Sequence, residues 1–273
     1  MKDHEATRRA NDLFSELKVY GMAFNAALQA KLEYKVDFVV SLLTSVMLQL
    51  AALGFWWVVF HQTPTLRGWD GTQVLFLMGM TAMALGGSEL FFNHIWFLPF
   101  YVVMGDLDRL VTYPVHSLPF LLTSRPELHS FGNILTGAAL AFGALWMRHE
   151  PLSMYLLVPL WAVCGTLVYT GALVIFGSLS FRFVGPYGFT LMIPHTLLQA
   201  NRYPLDIYPR WMHLLLLLVI PFGTCAFLPG HFVFGKGFGI WGALAAPVGA
   251  AVTLYFAHRM WLWGLRQYQS TGS

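Results

Sequence analysis

The chain has 273 residues, of which 57% are hydrophobic and only 11% are charged, with a formal net charge of +3. Soluble domains carry roughly a quarter charged residues, so this composition excludes an ordinary soluble globular protein. The charges cluster in short segments between long apolar runs, a pattern typical of an all-α polytopic membrane protein.

Residues 1–35 form a basic start of the chain and contain six of its 16 lysines and arginines. Apolar residues recur there at helical spacing on one side: Leu13, Leu17, Tyr20, Phe24, Ala27 and Leu28. This spacing predicts an amphipathic helix at the membrane interface; the alternative is an amphipathic helix packed on protein. No short apolar core with a small-residue cleavage site precedes it, so we expect no removable signal peptide.

Four apolar runs follow, and each has roughly the 17–25 residues needed to cross a bilayer. They cover about residues 36–60, 72–98, 132–147 and 152–180. The basic start places the N-terminus in the cytoplasm by the positive-inside rule. Counting crossings then places 61–71 and the RHEP turn at 148–151 outside, and the stretch 102–131 inside.

The last third of the chain permits two topologies. In the first, the polar part of 182–212 is a cytoplasmic loop, and two spans at 213–230 and 238–263 complete six. Its three arginines favour this topology. In the second, 183–200 forms the fifth span, the polar string that follows lies outside, and 213–235 dips into the membrane and returns before the last span. Prolines interrupt both candidate runs, so the residues alone leave both open.

Several kinds of chemistry lack their sequence signals. The chain has no complete phosphate-binding loop, since its nearest string is FGKGFG, so we expect no nucleotide site. The histidines show no metal-ligand spacing. Ser88 and His94 are close in sequence, but a helix would place them on different faces. A membrane-embedded enzyme is therefore not favoured.

Glu89 is a carboxylate inside an apolar run, a placement that is rare and usually functional. We take Glu89 as a candidate intramembrane polar site that binds a cation, carries a proton, or pairs with Arg182 or a partner subunit. The structural alternative places Glu89 at the level of the cytoplasmic headgroups. An ion-coupled secondary transporter that uses Glu89 is the alternative function, although the sequence shows no internal repeat.

The string GDLDRLVTYPVHSLPFLL at 105–122 interrupts the apolar pattern with charges and prolines. Gly105 can end the preceding helix, and Asp106 can begin a short helix with one apolar face. Such a helix suits docking into a groove on another protein. We therefore predict a coupling segment at 105–125. Its candidate contact residues are Gly105, Asp106, Leu107, Asp108, Arg109, Leu110 and Pro114.

This segment resembles the permease subunits of ABC-2 type exporters, in particular a bacterial group with Gly-acid-Leu-Asp-x-Leu before a proline-bearing turn. The string NRYPLDIYPRWMHLLLLLVIPFGTCAFLPG at 201–230 resembles the Tyr-Pro and Leu-Pro pattern found late in that group. Tyr113 departs from the pattern, because members often carry an arginine just before the proline. Tyr113 therefore does not supply the positive charge that the arginine carries at that point.

The resemblance implies about six transmembrane helices, an interfacial N-terminal helix on residues 1–35, and a re-entrant hairpin before the last span. The transmembrane domain would cover 36–263, with a cytoplasmic tail at 264–273. It implies a multi-pass protein of the bacterial inner membrane with both termini cytoplasmic, and it favours the second topology.

The resemblance also implies the partners. Such permeases have no nucleotide site of their own, and ATP and Mg are bound by two cytoplasmic ABC ATPase subunits that contact the coupling segment. A second permease completes a homodimer or a heterodimer, membrane lipids surround both, and no nucleic acid is involved. We expect the first, second and fifth spans to line the path, with an apolar face made by Met47, Leu50, Met78, Met83 and Phe91.

Overall fold

The computed structural model describes residues 2–108, 112, 116–182 and 189–268, with side chains from residue 15 onward except those of Leu17 and Phe189. Arg109, Leu110 and Pro114 of the predicted coupling segment therefore lie outside the described residues, and so do residues 269–273 of the predicted cytoplasmic tail.

Within these ranges the regular secondary structure is helical apart from one short hairpin. The helices are α1 (Lys2–Leu32), α2 (Lys35–Gln62), α3 (Gly71–Phe92), α4 (Leu98–Met104), α5 (Ser117–Thr123), α6 (Ser130–Met147), α7 (Leu152–Ser178), α8 (Phe189–Ala200), α9 (Arg210–Leu214), α10 (Phe227–Val233) and α11 (Gly239–Gln267). Single turns of other helix types cover Asn93–Phe97, Leu179–Phe181, Leu205–Ile207, Leu215–Val219 and Phe222–Thr224. Strands β1 (Thr65–Leu66) and β2 (Trp69–Asp70) pair antiparallel, with Leu66 opposite Trp69.

Five helical segments of the described chain are long and apolar enough to cross a membrane. They are Lys35–Gln62, Gly71–Met104, Ser130–Met147, Leu152–Phe181 and Gly239–Gln267. Their length and composition confirm the predicted all-α polytopic fold. Four of them correspond to the four apolar runs of the sequence, and the fifth corresponds to the last span.

Helix α3 is the centre of the bundle, since 83% of its apolar window is buried, against 11% for α2. Small residues allow the backbones of α3 and α6 to touch, as is common between membrane helices. A methyl group placed on Gly79 would lie 2.6 Å from the Gly137 carbonyl and from Ala141 N. Asp70 begins α3 with a capping box, because its side chain accepts from Gln73 N and the Gln73 side chain accepts from Asp70 N.

The last third follows the second topology. The segments Arg210–Val219 and Phe222–Val233 are bent by 75° at their junction, and both flanks of this pair reach the same hairpin. Asp206 accepts from the indole N–H of Trp69 at 2.9 Å, and Lys236 Nζ donates to the Gly68 carbonyl. The pair starts and finishes at one end of the molecule, so it is a re-entrant hairpin. The first topology is wrong.

The fifth crossing lies between Phe181 and Asp206. Phe181 packs on Trp261 and Tyr268 near the C-terminal end of α11, whereas Asp206 lies at the β-hairpin. Helix α8 covers 12 residues of this crossing, or about 18 Å at 1.5 Å per residue. Helix α8 ends where the predicted span at 183–200 ends, and residues 183–188 of that span lie outside the described residues.

The described segments assign the loops to two ends of the molecule. The cap end contains Trp69, Asp70, Arg148, Asp206 and Lys236, and there Arg148 forms an ion pair with Asp70 at 2.7 Å. The coupling end contains α1, the 105–108 segment, α5 and the C-terminal end of α11. The 61–71 loop and the RHEP turn therefore share one side, as the sequence predicted.

Candidate functional site

The described part of the coupling segment begins where α4 ends. Gly105 has a positive φ of 77° and closes α4 in the left-handed conformation, which glycine adopts without steric cost; this prediction is confirmed. Leu107 is fully buried, whereas Asp106 and Asp108 are exposed. Leu107 thus anchors the segment in the protein, and Asp106 and Asp108 place two carboxylates at the surface.

The same segment lies beside the end of the last transmembrane helix. Burial, together with the nearby carboxylates of Asp108 and Asp106, raises the pKa of Tyr268. Tyr268 directly follows α11 and also packs on Phe181 at 6.0 Å. The acidic segment between the second and third spans is therefore close to the point where the fourth and final spans end.

Helix α1 contacts the other half of the coupling segment. Glu16 Oε2 lies 2.7 Å from His116 Nδ1, and the Tyr20 hydroxyl donates to Glu16 at 2.9 Å. These hydrogen bonds from His116 and Tyr20 lower the pKa of Glu16, while burial and the neighbouring Glu16 raise the pKa of Tyr20 to about 12. An apolar groove of about 750 Å³ separates this contact from α11.

Part of the apolar face predicted for α1 covers the bundle. Phe24 stacks on Phe91 of α3 with 5.8 Å between ring centroids. Lys18 and Lys35 are exposed, and Lys31 is partly buried. This part of α1 therefore packs on the bundle, and the position of α1 at the membrane interface stays a prediction.

Lys31 belongs to a polar cluster that joins α1 to α3. Lys31 Nζ lies 2.5 Å from Glu127, and His129 lies 3.6 Å from Glu127 and 3.7 Å from Glu89. Burial alone would raise the pKa of Glu127, but hydrogen bonds from His129 and Lys31 outweigh it and lower the pKa. The hydrogen bond with Glu127 raises the pKa of His129. The cluster therefore favours a protonated His129 between two carboxylates.

The structure places Glu89 in a different pair from the predicted one. Ser130 Oγ and Asn133 Nδ2 donate to its carboxylate at 3.0 and 3.1 Å, and Glu127 N donates to its backbone carbonyl. Arg182 is exposed at the end of the fourth span and forms no ion pair with Glu89. Of the alternatives for Glu89, a pair with Arg182 does not form between these described residues, because the start of α6 supplies nearer polar partners.

Two of the side chains expected to line a path belong to the core instead. Met78 and Met83 are buried in the protein, and a methyl group on Gly137 would meet the Met83 side chain at 2.9 Å. Met47, Leu50 and Phe91 are exposed. A single apolar run does not show which of its faces meets another helix, and the apolar residues of α3 do not form one distinct face.

Sequence reasoning missed a polar stripe on α8 and the turn after it. His195 and Gln199 lie one turn apart on α8, and Arg202 follows in the turn after the helix. The Tyr169 hydroxyl lies 2.8 Å from His195 Nδ1, and Gln199 Nε2 lies 3.4 Å from His195 Nε2. Their spacing is visible in the sequence, but both candidate topologies place Arg202 in a polar loop outside the bilayer.

The structure does not bring together the residues of the enzyme alternative. Ser88 Oγ lies 2.8 Å from Thr170 Oγ1, and His94 Nε2 lies 2.7 Å from the Tyr101 hydroxyl. Within the described ranges no group of three or more His, Cys, Asp or Glu side chains is arranged to hold a metal ion.

Comparison with known proteins agrees with this architecture. A family model described as "ABC-2 family transporter protein" matches residues 46–272. No curated protein and no solved structure matches the chain. The match covers the second half of α2, the other transmembrane helices, the coupling segment and the re-entrant hairpin. Because it covers well over half of the sequence, the chain belongs to the ABC-2 family of transporter proteins and is a transmembrane permease of the ABC transporter type.

Proposed function

We propose that this chain is the permease subunit of an ATP-driven ABC exporter, forming the translocation path with a second permease. Two cytoplasmic ABC ATPase subunits would bind ATP and Mg and supply the energy. The coupling end would face the cytoplasm of a bacterial cell, with both termini on that side of the inner membrane.

The gathering of four chain segments at the coupling end carries this proposal. Helix α1, the 105–108 segment, α5 and the end of α11 lie together there, and Glu16 and His116 join the first to the third at 2.7 Å. A partner that pushes on this end contacts all of them at once. Coupled transport requires that kind of input, because the driving force is the difference in binding energy between two states.

Helix α3 offers a direct route for such a push across the bilayer. The coupling segment follows α3 and α4 without a long flexible linker, and α3 is the most buried span. Its backbone touches α6 at Gly79 and Gly86, where added methyl groups would lie within 3.0 Å of α6 atoms. Close-packed interiors transmit displacement with little compression, so α3 and α6 are expected to move together.

The exposed surface of α2 supports the proposal of a second permease. Only 11% of its apolar window is buried, and its large exposed side chains include Val40, Leu43, Met47 and Leu50. A span with so few protein contacts has surface for both lipid and a partner helix. We propose that one part of α2 meets the second permease, as a homodimer or a heterodimer.

Affinity purification in mild detergent tests the ATPase partner. We expect an ABC ATPase to co-purify with the wild-type chain and to be lost when Asp106 through Arg109 are replaced by alanine. The control variants Arg67→Ala and Arg210→Ala alter exposed charges at the cap end, and we expect them to retain the ATPase. A chain that purifies alone and uses an ion gradient to drive solute transport would instead support a secondary transporter.

Cysteine labelling tests the orientation. In a Cys164→Ala, Cys225→Ala background, we expect Asp206→Cys to react with an impermeant maleimide from outside intact cells. We expect His116→Cys to react only after the inner membrane is opened. The reverse pattern would place the coupling end outside and would contradict cytoplasmic ATPase partners.

A further inference from the structure

A pocket lies where α1 turns into α2, at the coupling end of the bundle. Its volume is about 370 Å³, which is within the range of small-molecule sites. The end of α1, the first turns of α2 and the turn at 127–129 before α6 form its wall. An ion pair from Lys31 of α1 to Glu127 of that turn holds these parts together at 2.5 Å.

The start of α2 places this pocket at the level of the lipid headgroups. Helix α2 has 28 residues, or about 42 Å at 1.5 Å per residue, whereas the hydrocarbon core of a bilayer is about 30 Å thick. An equal excess at both ends leaves about four residues outside the core at each end, which here are residues 35–38. Asp37, which lines the pocket, is one of them and is exposed.

The charges around the pocket leave one carboxylate without a counter-charge. Lys31 pairs with Glu127, and His129 lies 3.6 Å from Glu127 and 3.7 Å from Glu89. The Asp37 side chain forms no ion pair or hydrogen bond with the residues that the structure describes. Three carboxylates against two cations leave one negative charge in excess even when His129 is protonated. The pocket therefore favours a cation over an anion such as phosphate.

Hydroxyl groups lie on the same face as this carboxylate. Tyr34, Asp37 and Ser41 are spaced by three and four residues, which places them on one side of the start of α2. All three line the pocket, together with the apolar side chains of Phe38 and Leu128. The two hydroxyl groups are not hydrogen-bonded within the described ranges. The pocket thus offers three oxygen-bearing groups beside an apolar wall.

A primary ammonium group fits this arrangement better than a metal ion does. Calcium and magnesium need several oxygen ligands at about 2.0–2.6 Å, and in the described part of the chain no three His, Cys, Asp or Glu side chains are arranged to hold a metal. An ammonium group has three N–H donors, so a carboxylate and two hydroxyl groups supply one acceptor for each. The apolar wall suits the carbon chain that carries the nitrogen.

We propose that this pocket binds the primary ammonium group of an amphipathic molecule, with Asp37 as its counter-charge and Tyr34 and Ser41 as further acceptors. The binding site does not depend on the proposed export function, whereas its position in the cytoplasmic leaflet rests on that function. Two sources carry the same chemistry: an aminophospholipid of the membrane and an amine-bearing amphipathic cargo.

Binding to the full chain in a nonionic detergent tests the site without ATP or an ATPase. The probes are dodecylamine with a fluorescent label at the far end of its chain and dodecanol with the same label, titrated at neutral pH. We expect the amine to bind about tenfold more tightly than the alcohol, as for a hydrogen bond to a charged group. A trimethylammonium probe keeps the charge but has no N–H donor, so it should bind more weakly than the amine.

Variants at two carboxylates separate the site from general charge effects. Asp37→Asn should abolish the preference for the amine, because the amide has the same shape without the charge, and Asp37→Glu should retain part of it. Glu33→Gln is the control, since it removes an exposed carboxylate that does not line the pocket, and it should leave the preference unchanged. The thiols of buried Cys164 and Cys225 report whether each variant is folded.

Three results of these titrations would each overturn the proposal. They are equal binding of the amine and the alcohol, a full preference in Asp37→Asn, and equal losses in Glu33→Gln and Asp37→Asn. If no ATPase co-purifies but the Asp37-dependent preference is present, the proposed function fails and the binding site remains. If the ATPase co-purifies and the preference is absent, only the binding site fails.

Competition and transport distinguish the two sources of the ammonium group. Displacement of the labelled amine by phosphatidylethanolamine but not by phosphatidylcholine, without accumulation in vesicles, would identify a resident lipid. ATP-dependent accumulation of the labelled amine in inverted vesicles, lost in Asp37→Asn, would identify cargo. If neither displacement nor accumulation is observed, the pocket has no natural ligand of this class and the proposal fails.

Discussion

The two ends of the molecule are held by different kinds of contact. At the cap end Trp69 is only 1% exposed, its indole donates to Asp206, and Lys236 Nζ lies 4.7 Å from its ring centre. At the coupling end the contact between α1 and α5 depends on Glu16 and His116, and the His116 side chain is 76% exposed.

This contrast separates a rigid end from an adjustable one. Moving the re-entrant hairpin would expose an indole packed against Phe227 and Phe234, which is opposed by the loss of apolar burial. Exposed ion pairs contribute little to stability because water and salt screen them. Displacement by a partner is therefore expected to begin at the coupling end, while the cap end keeps its structure.

Removing Trp69 should give the largest change in stability. Trp69→Ala deletes a fully buried aromatic side chain and leaves Asp206 without its indole donor, so we expect a loss of about 3–5 kcal/mol. Thermal unfolding is followed by reaction of a thiol dye with buried Cys164 and Cys225. Trp57→Ala is the control, because Trp57 is exposed on α2. Equal shifts for both variants would show that the cap end is no more rigid than the lipid-facing surface.

The close contact between α3 and α6 should be the next most sensitive to substitution. Gly79→Ala places a methyl group 2.6 Å from the backbone of α6, so the helices must separate, and we expect a loss of about 1–3 kcal/mol. Gly143→Ala is the matched control on α6, since a methyl group there would meet nothing within 4 Å. An unchanged unfolding midpoint in Gly79→Ala would mean that α3 and α6 do not move as one unit.

Local sequence signals predicted much of this architecture. The apolar runs at 36–60 and 72–98 correspond to Lys35–Gln62 and Gly71–Met104, because crossing a bilayer demands a fixed number of apolar residues. Gly105 ends a helix as expected, since its left-handed conformation is a local property. The re-entrant hairpin needed the family resemblance, because its two halves resemble one broken span in composition.

Pairing between distant elements was not predictable in the same way. Glu89 finds Ser130 and Asn133 because α6 packs on α3, and hydropathy does not encode that contact. Met83 is buried and Met47 exposed for the same reason. Arg202 resembled a loop residue because NRYPLD is polar, yet its side chain is half-buried, next to an Asn201 carbonyl that accepts from Thr81 of α3. The polar residues that lie at membrane depth are the ones that composition assigned least well.

The ion pair at the cap end should contribute much less than the indole. Arg148 donates to Asp70 at 2.7 Å and to Thr72 at 3.2 Å, but the pair is about one-third exposed. We expect Arg148→Gln to lower the free energy of unfolding by about 0.5–1 kcal/mol. In 1 M salt the difference from wild type should shrink, because the screening length of exposed charges is then only about 3 Å. A loss as large as that of Trp69→Ala would assign the rigidity of the cap end to charge.

The smallest effect should be a pH dependence at the coupling end. The hydrogen bond with Glu127 raises the pKa of His129 above its ordinary value of 6.5, so its stabilisation is complete below pH 6.5. That stabilisation is lost as the pH rises through the raised value. The lowered pKa of Glu127 affects stability only at acid pH. We therefore expect the wild-type unfolding midpoint, followed by tryptophan fluorescence, to fall between pH 6 and 9 (a range set about the His value).

His129→Gln should flatten that slope, because glutamine can hydrogen-bond to Glu127 but cannot titrate. High salt should reduce the wild-type slope as well, since the groups that face His129 are the charged Glu127 and Lys31 and the carboxylate of Glu89. A slope that persists in His129→Gln would assign the pH dependence to another group. The cluster that joins α1 to α3 would then be held by Lys31 and Glu127 alone, and the coupling end would be insensitive to protonation of His129.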